Sequence, residues 1–461
     1  MKTIITPIYN GIRARNFFRT DTYRELIKDS NIRLVVVVPS TKVEYYKKEY
    51  PETNVVFEPL DILGETTWGR NLNLAALNLL NTNTIRLKQV LAYYKHHSKL
   101  KLVFWRIFNR VLSPLPFVMS AVRWLDKFEP TDSQVAALLA RYKPDLVVIP
   151  DIVFSVDRIF IRAAKRAGFY TLGMVRSWDN LTSKGVVQIL PDKLIVHNST
   201  MKEEAIKLAG MSAKDIYVSG PPQFDWHFRS RNMGREEFMK SLNIPVDRRL
   251  VLAAPFFNDY VKSSVNIINT LTDAINDGRL PKNLHLIIRY RPTNAEIPAG
   301  MLKPSEHYTI TRPCEARFTV VNEQSPVEDY EHSQADVELL MNSLAYSDVV
   351  INTISTLSVD AAAMDKPVIN VRYDGDPNVP LKYGVKIFYH GHDHYEMIER
   401  SGGVRLAWTP DELIDQINMY LKDPSIDREG RARIVAEQLE FTDGLSGRRV
   451  AEAIKKYLNA R

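Results

Sequence analysis

From its first residues the chain alternates short β-branched runs with longer stretches of helical periodicity, an order that leaves few architectures open. A strand–helix–strand repeat joins its strands in parallel, because the crossover helix returns the chain to the same end of the sheet. The predicted strands of the first half are Thr3–Pro7, Arg33–Pro39, Val55–Glu58, Asp145–Pro150, Thr171–Val175, Lys193–His197 and Tyr217–Ser219. Those of the second half are Leu250–Pro255, His285–Arg289, Tyr308–Thr311, Val349–Asn352 and Pro367–Val371. Most are nearly continuous apolar runs, as expected where helices cover both faces of a sheet. A charged helical stretch from Arg229 to Arg249 separates the two sets and places a boundary near residue 235. At 461 residues the chain exceeds what one hydrophobic core serves, so two α/β domains are expected. These are 1–235 and 236–430, followed by a helical segment 431–461 with Ala451, Ile454 and Leu458 at helical spacing.

Several function classes drop out early. There is no G-x-x-x-x-G-K-[ST] phosphate loop and no G-x-G-x-x-G, which argues against P-loop ATPases and standard dinucleotide dehydrogenases. The missing G-x-S-x-G weakens a serine hydrolase. Cys314 is the single cysteine, so no intrachain disulfide forms, which fits a reducing cytoplasm. The opening MKTIITPIYNG turns polar too early for a signal peptide. The most apolar run, Leu34–Pro39, is far shorter than the ~20 residues of a transmembrane helix. A soluble or peripheral protein is expected.

The net charge of +7 is concentrated in one place. No carboxylate occurs from Thr66 to Leu125, while Arg70, Arg86, Lys88, Lys95, Lys99, Lys101, Arg106, Arg110 and Arg123 do. Within that stretch Leu100, Val103, Phe104, Ile107, Phe108, Val111, Leu112 and Leu115 repeat at helical spacing. Two readings of 86–125 stand side by side. The stripe packs on the N-terminal domain, or it lies on an anionic membrane surface. Nucleic acid is disfavoured, since no recognition motif accompanies the charge.

The segment Asp336–Arg372 reads helix, strand, polar turn, helix, strand. Ser355 and Thr356 fall where the second helix begins, where free amides and the helix dipole favour an anion such as a diphosphate. Asp360 follows ~6–8 Å along the helix, a suitable offset for ribose hydroxyls. The plainer alternative makes Ser355 or Thr356 an N-cap and Asp360 a solvated acid. Arg289 and Arg291 close the strand His285–Arg289 two residues apart, so their guanidiniums share a face and can converge on phosphate oxygens, or pair with surface acids.

The pattern TISTLSVDAAAMDKPVI resembles the donor region of GT-B glycosyltransferases. It is also similar to CDP-glycerol glycerophosphotransferases and, more loosely, to UDP-GlcNAc 2-epimerases. The blocks IRARNFFRTDTYREL, SWDNLTSKG, LIVHNSTMKEEAIKLAG, VSGPPQFDW and HYEMIERSGGVRLAWTPDELIDQINMYL extend the resemblance along the chain. It implies two Rossmann-like domains of parallel sheet with a cleft between them. The N-terminal domain takes the acceptor, a cell-surface glycan or lipid-linked molecule, and the C-terminal domain takes a nucleotide-sugar donor. Ser355, Thr356, Arg289 and Arg291 then hold the diphosphate, and Asp360 the ribose. Many relatives carry His-Pro where this chain has Arg291-Pro292, which leaves the usual histidine role unfilled or displaced.

By the same resemblance, the loop after the first strand, with Arg13, Arg15, Asn16 and Arg19, is expected to supply acceptor contacts. Asp21 and Asp179 are the candidate bases for the acceptor's proton. The expected activity is glycosyl transfer. The alternatives are a CDP-alditol phosphotransferase and a non-catalytic nucleotide-binding scaffold. No cofactor is expected. His390, His392, His394 and Glu396 alternate, yet Gly391 and Asp393 suggest a loop, and no metal site is expected there.

Overall fold

The computed structural model describes residues 1–62, 64–229, 231–254, 261–290, 297, 300–314, 316–322, 325–375, 378–379 and 391–460. Its strands are β1 (Lys2–Pro7), β2 (Ile32–Val38), β3 (Val55–Pro59), β4 (Leu146–Ile149), β5 (Thr171–Met174), β6 (Lys193–Val196), β7 (Ile216–Val218) and β8 (Arg249–Ala254). There follow β9 (Leu284–Arg289), β10 (Tyr308–Thr311), β11 (Arg317–Asn322), β12 (Ser325–Tyr330), β13 (Val349–Asn352), β14 (Val368–Val371) and β15 (Arg405–Ala407). A seven-stranded sheet runs β3-β2-β1-β4-β5-β6-β7 and a six-stranded sheet β10-β9-β8-β13-β14-β15. Every pairing within both is parallel. Each sheet winds outward in one direction and then jumps back across its first strand, the doubly wound pattern.

Two compact units result. The first comprises Met1–Asp225, Ala316–Glu331 and Gln438–Arg461; the second, Trp226–Glu315 and His332–Glu437. The first segment of the first unit stops at Asp225, before the expected boundary near 235, and the helix Arg235–Ser241 lies in the second unit, Phe238 against Tyr346 at 5.6 Å. The segment 431–461 is divided at Glu437.

In the first unit the period-two alternation of strand side chains builds two cores. Ile5, Val35, Val37, Val147 and Ile149 enter one, while Ile4, Leu34, Val36, Val38, Leu146 and Val148 enter the other. Val450, Ala451, Ile454 and Leu458 of the helix Ser446–Leu458 join the second. The antiparallel pair β11–β12 also belongs to this unit. Lys42, fully buried, reaches Asp329 and Glu331 at 2.5 Å each, and the Tyr46 hydroxyl donates to Glu331 at 2.5 Å. The β12 backbone passes so close to Gly11 that a Cβ there would meet the Tyr330 carbonyl oxygen at 1.6 Å, so only glycine fits. In the second unit Val251, Leu286, Ile288, Val349, Ile351, Ile369 and Val371 form the core.

Candidate active site

In the six-stranded sheet the winding reverses between β8 and β13, and such a reversal opens a crevice at the carboxyl edge of a parallel sheet. There β13 ends at Asn352 and turns through Thr353 to Thr356 into the helix Leu357–Ala363. A buried polar knot holds this turn. Ser358 Oγ lies 3.2 Å from Asn352 Nδ2, 3.2 Å from Asn370 Oδ1 and 2.9 Å from the Tyr395 hydroxyl. Asn370 Nδ2 donates to the same hydroxyl at 2.5 Å. Burial drives the Tyr395 phenol up to about 12, so it remains a neutral hydrogen-bonding group. Two strand ends and the helices Leu357–Ala363 and Asp393–Arg400 are thereby tied together.

On this support Thr356 is exposed and Ser355 half-buried. Ser355 Oγ accepts from the Leu357 amide at 3.2 Å, and Thr356 makes no side-chain cap bond. One turn on, Asp360 Oδ1 lies 2.8 Å from Nε2 of His227, whose side chain is 1% exposed against 15% for the carboxylate. His227 escaped the sequence reading: the block VSGPPQFDW stops one residue short of it, and a lone histidine carries no periodicity. Arg289 closes β9 and is half-buried. The registers Ala253↔Ile288 and Asn352↔Ala254 bring it level with Asn352, two strands or about 10 Å across the sheet. The structure therefore brings Ser355, Thr356, Asp360 and Arg289 to one edge. Arg291, Tyr389 and His390 lie outside the described residues.

The seven-stranded sheet has its own reversal, between β1 and β4. Asn10 caps the helix Gly11–Phe18 there, its Oδ1 accepting from the Arg13 amide at 3.0 Å. Arg13 turns inward and pairs with Asp157 at 2.7 Å, both almost fully buried. Behind β4, buried Asp151 accepts from Asn180 Nδ2 at 2.9 Å and pairs with Arg176 at 3.0 Å. Burial pushes Asp157 up to about 7, opposed by Arg13 and reinforced by Asp151; it pushes Asp151 up as well. Arg13, Arg176 and Lys184 stand 5.3, 5.1 and 5.6 Å from the Phe154 ring centroid. Asp151 and Asp157 were not singled out from sequence, since neither sits in a recognisable motif.

Asp179 lies behind the neighbouring β5, half-buried, accepting from Ser177 Oγ at 2.6 Å and Ser183 Oγ at 2.9 Å. Asp21 stands apart. The eight-residue helix Gly11–Phe18 carries the chain about 12 Å before the helix Asp21–Ile27 begins, and Asp21 meets Arg24 at 3.4 Å. Arg15 bonds Asn16 Oδ1 at 3.0 Å, and Arg19 pairs with Glu49 at 2.6 Å over the Tyr50 ring.

In the alternating His segment, His392 precedes the helix Asp393–Arg400, its ring 5.3 Å from that of His394, while Glu396 pairs with Arg400. Among the described residues, Cys314, His332 and Asp336 form a trio with donor atoms within 4.8 Å of one another. Asp336 is committed there to a helix cap: Oδ2 accepts from the Ser333 amide and hydroxyl, and Oδ1 from the Cys314 amide.

Residues 179–456, more than half of the chain, match the family model described as CDP-glycerol:poly(glycerophosphate) glycerophosphotransferase. The chain belongs to this family. No curated protein sequence matches it. Among solved structures, this family member is similar to a putative UDP-N-acetylglucosamine 2-epimerase from Listeria monocytogenes at 13% identity. The match covers 100% of this chain and 98% of that one, with a TM-score of 0.57. MnaA of S. aureus, in a co-structure with UDP, is 12% identical over 100% and 98% of the two chains, with a TM-score of 0.59. A glycosyltransferase from Rickettsia africae ESF-5 is 11% identical over 100% and 99%, with a TM-score of 0.50. At these identities the likeness is one of fold: two parallel α/β sheets of the GT-B type. The family member is thus a GT-B transferase.

If Arg289 serves the donor's diphosphate, Arg289→Ala weakens nucleoside diphosphate binding about 10- to 100-fold, the worth of a charge-assisted hydrogen bond. Titration calorimetry checks this, and an unchanged affinity removes Arg289 from the site.

Proposed function

We propose that this protein activates an acceptor hydroxyl against a nucleotide-linked donor held at the carboxyl edge of the six-stranded sheet. The observation that carries the reading is the Asn352–Ser358–Asn370–Tyr395 knot, which fixes a hydroxyl-bearing turn and Asp360 on one support. Ser355, Thr356, Arg289 and Arg291 neutralise the diphosphate and stabilise the leaving group. Asp360, steered by His227, accepts the ribose hydroxyls. Asp179 takes the acceptor's proton, and the acceptor is a cell-surface glycan or lipid-linked molecule.

Family membership favours a CDP-linked alditol phosphate as donor. In that reaction the acceptor oxygen attacks the phosphorus bearing the alditol. The P–O bond to the nucleotide breaks, CMP leaves, and the acceptor proton goes to the base. The second reading, sugar transfer, is kept by the Arg291-Pro292 departure from His-Pro. There the acceptor attacks the anomeric carbon, the C–O bond to the diphosphate breaks, and a nucleoside diphosphate leaves.

The released nucleotide separates them. Incubation of the full chain with CDP-glycerol or UDP-sugars and a lipid-linked glycan acceptor, followed by nucleotide chromatography, should yield CMP. Release of a nucleoside diphosphate instead assigns sugar transfer. Binding of nucleotide without release from any donor would leave only the scaffold reading.

A further inference from the structure

Beyond the carboxyl ends of β4 and β5, three cations gather on one aromatic ring. The guanidiniums of Arg13 and Arg176 lie 5.3 and 5.1 Å from the Phe154 centroid, and Lys184 Nζ lies 5.6 Å from it. Two carboxylates answer them. Arg13 pairs with Asp157 at 2.7 Å, and Asp151 meets Arg176 at 3.0 Å on the Nε side. The terminal nitrogens of Arg176 make no hydrogen bond among the described residues, and its side chain is 14% exposed. Lys184, half-buried, pairs with no carboxylate among the described residues. Behind the ring, Arg13 Nε and Asn180 Oδ1 are buried without a hydrogen-bond partner among the same residues. Burial holds Asp157 up at about 7, so near neutral pH it carries less than a full charge. The cluster is left with positive charge to spare.

Like charges gathered on one ring repel, and an anion relieves them. The donors select which anion. The outer edge of Arg176 is a planar fork that matches two phosphate oxygens, and Lys184 supplies a point charge for a third. A carboxylate would spend both oxygens on the fork and leave Lys184 unanswered. The half-buried Phe154 ring offers an apolar wall for a short carbon stem. Lys88 is pushed down by desolvation and then by the charge of Lys184, against the opposite pull of Asp179, so Lys184 and Asp179 share one neighbourhood. We infer that Arg176, Lys184 and Phe154 form a phosphate site in the first unit, and that the acceptor is a phosphorylated alcohol whose hydroxyl lies toward Asp179. The acceptor's role rests on the proposed reading of Asp179 as base; the phosphate site itself does not.

The test is titration calorimetry of the full chain with glycerol 3-phosphate, glycerol and glucuronate. Saturable binding is expected for glycerol 3-phosphate alone. K184Q removes a cation that pairs with no acid, and should weaken this binding about tenfold or more, as for a hydrogen bond to a charged group. R176K keeps the counter-charge of Asp151, removes the fork, and should weaken it by a similar factor. Both variants should keep the melting temperature and the CMP affinity of wild type, because the proposed nucleotide site lies in the second unit. Glycerol 3-phosphate binding in a chain that binds no nucleotide would keep the site and remove the donor reading, so the two fail separately. No saturation, equal binding of glucuronate, or an unchanged affinity in either variant overturns the proposal. So does loss of binding in Arg289→Ala with K184Q unaffected, which moves the phosphate to the donor's turn.

Discussion

Asp179→Asn should lower kcat about 10²–10⁴-fold, the usual worth of a positioned general base, and leave the donor Kd unchanged. Asp179 sits behind β5 at the carboxyl edge of the seven-stranded sheet, where two serine hydroxyls orient its two oxygens. Half-buried Lys88, pushed down to about 8 chiefly by desolvation, also feels its charge. Asn preserves the shape and removes the proton acceptor. Asp21→Asn is the control. Its carboxylate lies a helix length away and meets Arg24, so kcat should stay within about twofold, as for surface substitutions generally. Steady-state kinetics beside calorimetric donor titrations separate the two variants. Full activity in Asp179→Asn would move the base elsewhere, and loss in both would point to a structural effect.

Arg13→Met should cost about 3–5 kcal/mol at pH 8.5, since it strips the counter-charge from a buried carboxylate. The expected cost depends on pH in a definite direction. Asp157 has its folded-state pKa raised to about 7, above the ordinary value of 3.8. Its contribution to stability is therefore complete below the unfolded value and is lost as pH rises through the folded one. Without Arg13 the folded value climbs further, because Arg13 is the largest influence lowering it. The added penalty appears as pH rises above about 7 and shrinks toward pH 5.5, where Asp157 holds its proton in both proteins. Urea unfolding at the two pH values reads this out. Arg13→Met combined with Asp157→Asn should recover much of the loss at pH 8.5, because no buried charge is then left unpaired. A penalty independent of pH would mean that Arg13 acts by packing alone.

Arg13 also illustrates what an acceptor-loop motif leaves open. The loop after β1 was legible as a site-bearing segment, yet that Arg13 faces inward depends on Asp157, which arrives from another helix. His227 and Asp360 meet in the same way, across a long sequence separation.

The sequence by itself determined the two parallel sheets, most of their strands and the helix–turn context of Ser355, Thr356 and Asp360. Those features rest on side-chain periodicity and turn chemistry over a few residues, so they are written locally. β15, three residues long, carries too little pattern to register, and β11–β12 falls outside the strand–helix alternation, the buried partner of Asp329 and Glu331 being the distant Lys42. The stripe from Leu100 to Val111 was plain as a helix face, but periodicity is blind to which face turns inward. Only the tertiary structure decided that, through the two carbonyls that hold Asn109. A buried amide must keep its hydrogen bonds, and satisfying it turned the apolar arc out to the solvent.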